Sequence, residues 1–158
     1  MRLRLLCMGK LRTPEVSALV ANYASLIPHY WPFELMELPD VRLGKGVASP
    51  ERQKEAEGER FLAEVQPGDR VVLLDERGRE YTSRELSEMI QRMSHEVSRR
   101  LIFIIGGPYG FSRAVYARAD SMLSLSRMTF PHELARLFAV EQLYRAGTIM
   151  RGEPYHHD

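Results

Sequence analysis

Leu101-Ile102-Phe103-Ile104-Ile105-Gly106-Gly107-Pro108-Tyr109-Gly110-Phe111-Ser112 is an apolar run that breaks into a glycine-rich turn and ends on a helix-capping serine. An unbroken apolar run of this length suits a strand covered on both faces, as in a parallel sheet. Toward the N-terminus, Val71-Val72-Leu73-Leu74 repeats the pattern and ends at Asp75. Between the two runs, Thr82 and Glu85 form a capping box ahead of Leu86, Met89, Ile90, Met93 and Val97, spaced as the apolar stripe of a helix. Strand, helix, strand in this order predicts an α/β fold with a mostly parallel sheet and helices on both faces.

The rest of the chain extends that alternation. A strand is predicted over 2–8, where Arg2 and Arg4 alternate with Leu3 and Leu5. The arginines read as a solvated strand face, or as part of a local basic patch with Lys10 and Arg12. Thr13 as N-cap and Pro14 at the first helical position open a helix to about Ser25. A strand follows over 33–38, then a loop over 39–50 rich in proline and glycine. Ser49-Pro50-Glu51 starts a helix to about Val65, and Pro67-Gly68-Asp69 is a turn. Ser112 caps a short helix to Ala119, 122–126 reads as a last short strand, and Pro131 opens a helix reaching about Gly147. Leu134, Leu137, Phe138, Val140, Leu143 and Tyr144 cover more of that helix than one stripe. Its second face lies either deep in the monomer or against another subunit.

A chain of 158 residues, 44% hydrophobic and 27% charged, is expected to form one globular domain over 1–158. No apolar run approaches membrane-spanning length, and the start lacks the apolar core of a signal peptide, so a cytoplasmic protein is expected. Cys7 is the only cysteine and reads as a small buried side chain on a strand. A net charge of +1 argues against a broad basic field for naked nucleic acid, so any RNA contact must be local.

The glycine turn is the natural pocket candidate, because ligands of open α/β sheets bind beyond the carboxyl ends of strands, where glycine lets backbone approach them closely. It is neither a phosphate loop nor the Rossmann spacing, and a tight turn with no ligand fits the same residues. His132-Glu133-Leu134-Ala135-Arg136 begins like a zinc-protease motif, but Arg136 stands where the second histidine ligand belongs, so no metal is expected. Glu141 and Arg145 are placed for a helical ion pair, and His156-His157 reads as a frayed polar tail.

Four segments carry a resemblance: Ile105-Gly106-Gly107-Pro108, then Leu123-Ser124-Leu125-Ser126-Arg127-Met128-Thr129-Phe130-Pro131-His132, then Glu141-Gln142-Leu143-Tyr144-Arg145-Ala146, then Arg151-Gly152-Glu153-Pro154-Tyr155-His156. In this order the chain resembles the RlmH family of ribosomal RNA large-subunit methyltransferases, of the SPOUT class, and the likeness extends to Gly9-Lys10, Pro32-Phe33-Glu34 and Glu57-Gly58-Glu59. The resemblance implies a C-terminal trefoil knot, a homodimer, and S-adenosylmethionine held by Leu74, Gly106, Leu125, Ser126, Arg127, Met128, Thr129 and Phe130. The implied substrate is a pseudouridine in 23S ribosomal RNA, methylated at N3 on assembled ribosomes. His132, Tyr155 and His156 are candidates for the base, with Arg145 as an anchor for phosphate or base. Where such chains often carry a further cation after the Tyr-His pair, this one has His157 and Asp158. A knotted methyltransferase for another RNA nucleotide, or a ribosome-binding module without catalysis, are the alternatives.

Overall fold

The computed structural model describes residues 1–96 and 99–158, so Val97 of the predicted stripe lies outside the described residues. Strands β1 (Arg2–Met8), β2 (Phe33–Leu38), β3 (Arg70–Glu80), β4 (Arg100–Ile105) and β5 (Ser121–Ser124) form a sheet in the order β2-β1-β4-β3-β5, with every strand pairing parallel. Helices α1 (Pro14–Leu26), α2 (Pro50–Ala63), α3 (Ser83–Glu96), α4 (Arg113–Arg118) and α5 (His132–Met150) cover it, with a 3₁₀ turn at Ile27–His29.

Alternation along the central strands divides the core in two. Leu3, Leu5 and Cys7 of β1, with Leu101, Phe103 and Ile105 of β4, pack against α1, α3 and α5. Leu6, Met8, Ile102 and Ile104 point the other way, toward Phe61 of α2 and Val115 of α4. Both faces are apolar because both are covered, which is why these strands read as continuous runs. Each such leucine or isoleucine contributes about 1.5–3 kcal/mol of burial. Cys7 is filler in this core, with its thiol pushed up to about 12 by burial.

Local capping follows the sequence closely. Ser49 accepts from the Arg52 N–H, Ser112 from that of Val115, and Thr82 and Glu85 satisfy each other's backbone amides. Thr13 departs from expectation: its hydroxyl makes no cap to its own helix and donates instead to Glu133, whose carboxylate also accepts the Arg12 and Thr13 amides. The start of α5 thereby caps the start of α1.

Four other expectations need correction. Arg4 is buried rather than solvated, because its guanidinium pairs with Glu34 at 2.8 Å and with Glu64 at 3.7 Å across neighbouring elements. β3 does not end at Asp75. After Leu74 pairs with Leu123, the chain bulges out and returns so that Arg79 pairs with the same Leu123 and Glu80 with Ser124. Gly78 permits the return, since a Cβ there would stand 2.7 Å from the Met122 carbonyl carbon. β5 stops at Ser124, leaving 125–126 to the following loop. Finally, α5 starts one residue after Pro131 and runs through Gly147 to Met150, because Gly147 is a point of close packing and not a stop. A Cβ at Gly147 would stand 2.4 Å from the Tyr30 ring, and the left-handed residue that ends the helix is Gly152, at φ +69°.

Candidate functional site

Register decides where the loops meet. Ile105 of β4, Leu74 of β3 and Leu123 of β5 lie side by side in one row. The segments that follow therefore leave adjacent parallel strands at similar height and on the same edge, the position where open α/β sheets take ligands. Together with the exposed side of α2 and the start of α5 they enclose a cleft of ≈ 1250 Å³.

Seven of the eight residues expected at a cofactor line this cleft: Leu74, Gly106, Leu125, Ser126, Met128, Thr129 and Phe130. Arg127 does not; it is exposed and pairs with Glu80 at 3.2 Å across the β3 bulge. The loop after β5 is held by its own serines, with the Ser124 hydroxyl donating to the Ser126 carbonyl and the Met128 amide donating to the Ser126 hydroxyl. Phe130 packs edge-on against Phe138 of α5 at 5.1 Å. His132 also lines the cleft, from the first turn of α5.

Gly106 lines the cleft and has a second reason to be glycine, beside the expected close approach of backbone to a ligand. A Cβ there would stand 2.9 Å from the Phe111 ring, inside the protein, so the crowding comes from the turn's own aromatic residue. Valine at 106 would strain the fold before it met a ligand.

Arg145, Tyr155 and His156 are brought together, but elsewhere. Arg145 lies thirteen residues after His132 on the same helix, about 20 Å along its axis. Its guanidinium binds Glu141 Oε1 at 2.6 Å, covers the Tyr155 ring at 4.6 Å and lies 3.2 Å from His156 Nδ1. Tyr155 donates to the same Glu141 oxygen at 2.9 Å, and His156 Nε2 meets Asp158 at 2.9 Å. The expected ion pair is therefore present, and the tail folds onto α5 rather than fraying. Burial, then hydrogen bonding to Tyr23 and Glu141, pushes the Tyr155 phenol up, so it stays protonated and acts as a donor. Arg136 serves the fold: 2% exposed, it donates to the Met8 and Gly9 carbonyls and to Glu37.

Two features were not placed at the site from the sequence, although Glu57-Gly58 belongs to a segment that carries the resemblance. The β3 bulge brings Asp75 and Arg77 to the cleft, where Tyr116 donates to Asp75 and Arg77 donates to Tyr116. Burial opposes ionisation of Asp75, but the hydrogen bonds from Tyr116 and Arg77 outweigh it and hold the carboxyl below its ordinary range. The stretch 75–80 is polar throughout, so hydropathy carried no signal. The second feature is Glu57-Gly58 of α2, packed beneath the glycine turn. A glycine inside a helix costs about 1 kcal/mol relative to alanine, and that cost was the available clue to a close approach.

The family model described as "Predicted SPOUT methyltransferase" matches residues 1–156. The ribosomal RNA large subunit methyltransferase H of Christiangramia forsetii is 50% identical over 157 residues, covering 99% of this chain and 99% of that protein. The protein of the same name from Parabacteroides distasonis is 46% identical over the full length of both. Among solved structures, a probable methylase family protein from Haemophilus influenzae Rd KW20 superposes with a TM-score of 0.50 at 12% identity. That match covers 95% of this chain and 66% of the other, and it bears on the fold alone.

Proposed function

The chain belongs to the SPOUT methyltransferases and, within them, to the ribosomal RNA large subunit methyltransferase H family, and from that premise we propose that it transfers a methyl group from S-adenosylmethionine to N3 of a pseudouridine in 23S ribosomal RNA, on assembled ribosomes and as a homodimer. The observation that carries this reading is the convergence of three loops, after β3, β4 and β5, on one cleft.

The residues present fit that cofactor. Leu74, Ile105, Leu125 and Phe130 offer an apolar bed, and the glycine turn offers close backbone. S-adenosylmethionine, when bound, supplies a sulfonium methyl that needs little activation. The chain's task is then to align the base nitrogen and exclude water, worth up to about 7–11 kcal/mol. A group that takes the N3 proton adds about 10²–10⁴-fold. His132 stands at the cleft for that role, His156 is the alternative in the tail, and Tyr155 serves as a hydrogen-bond donor. Arg145, its charge held by Glu141, is the proposed anchor for phosphate or base.

The distance between His132 and the Arg145 cluster within one chain supports a composite site in which a partner's tail reaches the cleft. Exposed apolar side chains on α1 and α5, Leu19 and Phe138, support an interface there. The trefoil knot belongs to the same reading, with β5 at the sheet edge beside β3 while α5 returns to pack on α1 and α3. Among the described residues no helix is long and apolar enough to cross a membrane.

Calorimetric titration with S-adenosylmethionine tests the enzyme reading. One site per chain is expected, lost in Thr129→Trp, which adds bulk to the cleft wall. Absence of binding to the wild-type protein would leave a ribosome-binding module instead.

A further inference from the structure

Beneath the glycine turn, α2 carries a carboxyl group with no part in the chemistry above. Glu57 is 4% exposed. Its Oε2 accepts one long hydrogen bond, 3.3 Å from Gln53 Nε2, and its Oε1 is buried with no partner among the described residues. Gln53 Nε2 also donates to the Val41 carbonyl at 3.0 Å, so its amide is shared. The carboxyl lies against Gly107: a Cβ there would stand 2.8 Å from both of its oxygens. One residue on, a Cβ at Gly58 would stand 2.4 Å from the Ser112 hydroxyl, so α2 seats both ends of the turn.

For the resting fold this is an uneconomical choice. A buried carboxyl with an unmade hydrogen bond is destabilising, and an apolar side chain of similar size would remove that penalty. Groups that break a packing rule without local compensation are expected at functional positions. The free oxygen is already in contact with the backbone of the one turn whose placement the cleft depends on.

We propose that Glu57 is a positioning residue for the methyl donor: its free Oε1 accepts a backbone N–H of the turn at 106–110 as that turn closes on the cofactor, and so holds the turn against the ligand. The bond is made in the loaded state and absent without ligand, so it favours binding without stabilising the empty protein. This rests on the cleft being the cofactor site.

The test uses the full chain, with Glu57→Leu and Glu57→Gln compared to wild type. Melting is followed without ligand, and affinity is measured by titration with S-adenosylhomocysteine, the demethylated product. Glu57→Leu should melt at or above the wild-type temperature and yet bind about tenfold more weakly, the scale of one hydrogen bond to a carboxylate. Glu57→Gln, which keeps one acceptor oxygen in the same shape, should recover most of the affinity. In steady state the loss should appear in KM for S-adenosylmethionine and not in KM for ribosomes. Affinity of Glu57→Leu equal to wild type overturns the proposal. So does a joint fall in melting temperature and affinity that Glu57→Gln fails to rescue, since that marks a structural prop. A wild-type protein that binds no cofactor overturns the reading of the cleft, and this inference with it; wild-type binding matched by Glu57→Leu overturns this inference alone.

Discussion

Asp69 sits at the end of the sheet away from the cleft, with its side chain fully buried against Arg100. Its oxygens accept from Arg100 Nε at 3.0 Å, Arg100 Nη2 at 2.5 Å and the Gln66 amide at 2.7 Å. Burial alone would raise its pKa, but these bonds outweigh burial and lower it. A carboxyl depressed in the folded state contributes stability above its unfolded value, about 3.9, and loses that contribution as pH falls through the folded value. Asp69→Asn should therefore cost about 1–3 kcal/mol at neutral pH. The gap to wild type should narrow below about pH 4, as the wild-type carboxyl becomes protonated. Denaturant titrations at two pH values check this, and equal losses at both would contradict it. Methyl transfer per folded molecule should be unchanged. At this scale the sequence was legible where a residue's role is local, as with Ser49 or the Thr82 and Glu85 pair. It was silent where the partner is distant: Arg4 meets Glu34, and Glu133 caps a helix 120 residues earlier.

Gly147 shows the same limit for an element. The glycine reads as the end of α5, yet the helix continues for three residues beyond it because the Tyr30 ring occupies the space a Cβ would take. Tyr30 is pinned by Glu153 at 2.6 Å and flanked by Tyr144 and Trp31, so it cannot yield cheaply. Gly147→Ala gains about 1 kcal/mol of helix propensity and loses about 1–3 kcal/mol to overpacking. The net expectation is a melting temperature lowered by a few degrees, and an unchanged or raised value would show that Tyr30 moves aside. Strands β1 and β2 were readable to the residue because burial on both faces or regular alternation is written into their composition. β3 beyond Asp75 was not, because its polar residues are held by pairing with β5 and not by burial.

For the whole molecule, the glycine turn was marked as a pocket candidate from the residues alone, and it lines the cleft together with Leu74 at the end of the first part of β3. The loop at 125–130 was placed there only by family resemblance, since its sequence has neither glycine nor a charge pattern that marks a pocket. The tail lies with Arg145, away from the cleft of its own chain, so the proposed function gives it a role in the cleft of a partner. Sedimentation should give a dimer at micromolar concentration, and a monomer would contradict the proposed interface. Deleting residues 152–158 should spare folding and dimerisation while eliminating methylation of ribosomes. A heterodimer of a tailless chain and a full-length Thr129→Trp chain holds one intact composite site and should regain activity that neither parent shows; inactivity, with wild-type subunits recovering under the same treatment, would place the tail's action within its own chain. Nucleoside mass spectrometry of 23S ribosomal RNA, after ribosomes from a strain lacking the enzyme are incubated with this protein and methyl-labelled S-adenosylmethionine, reads out the proposed reaction itself. The predicted result is label on N3 of one pseudouridine, acquired by assembled ribosomes; label on another nucleotide, or none in 23S ribosomal RNA, would contradict it.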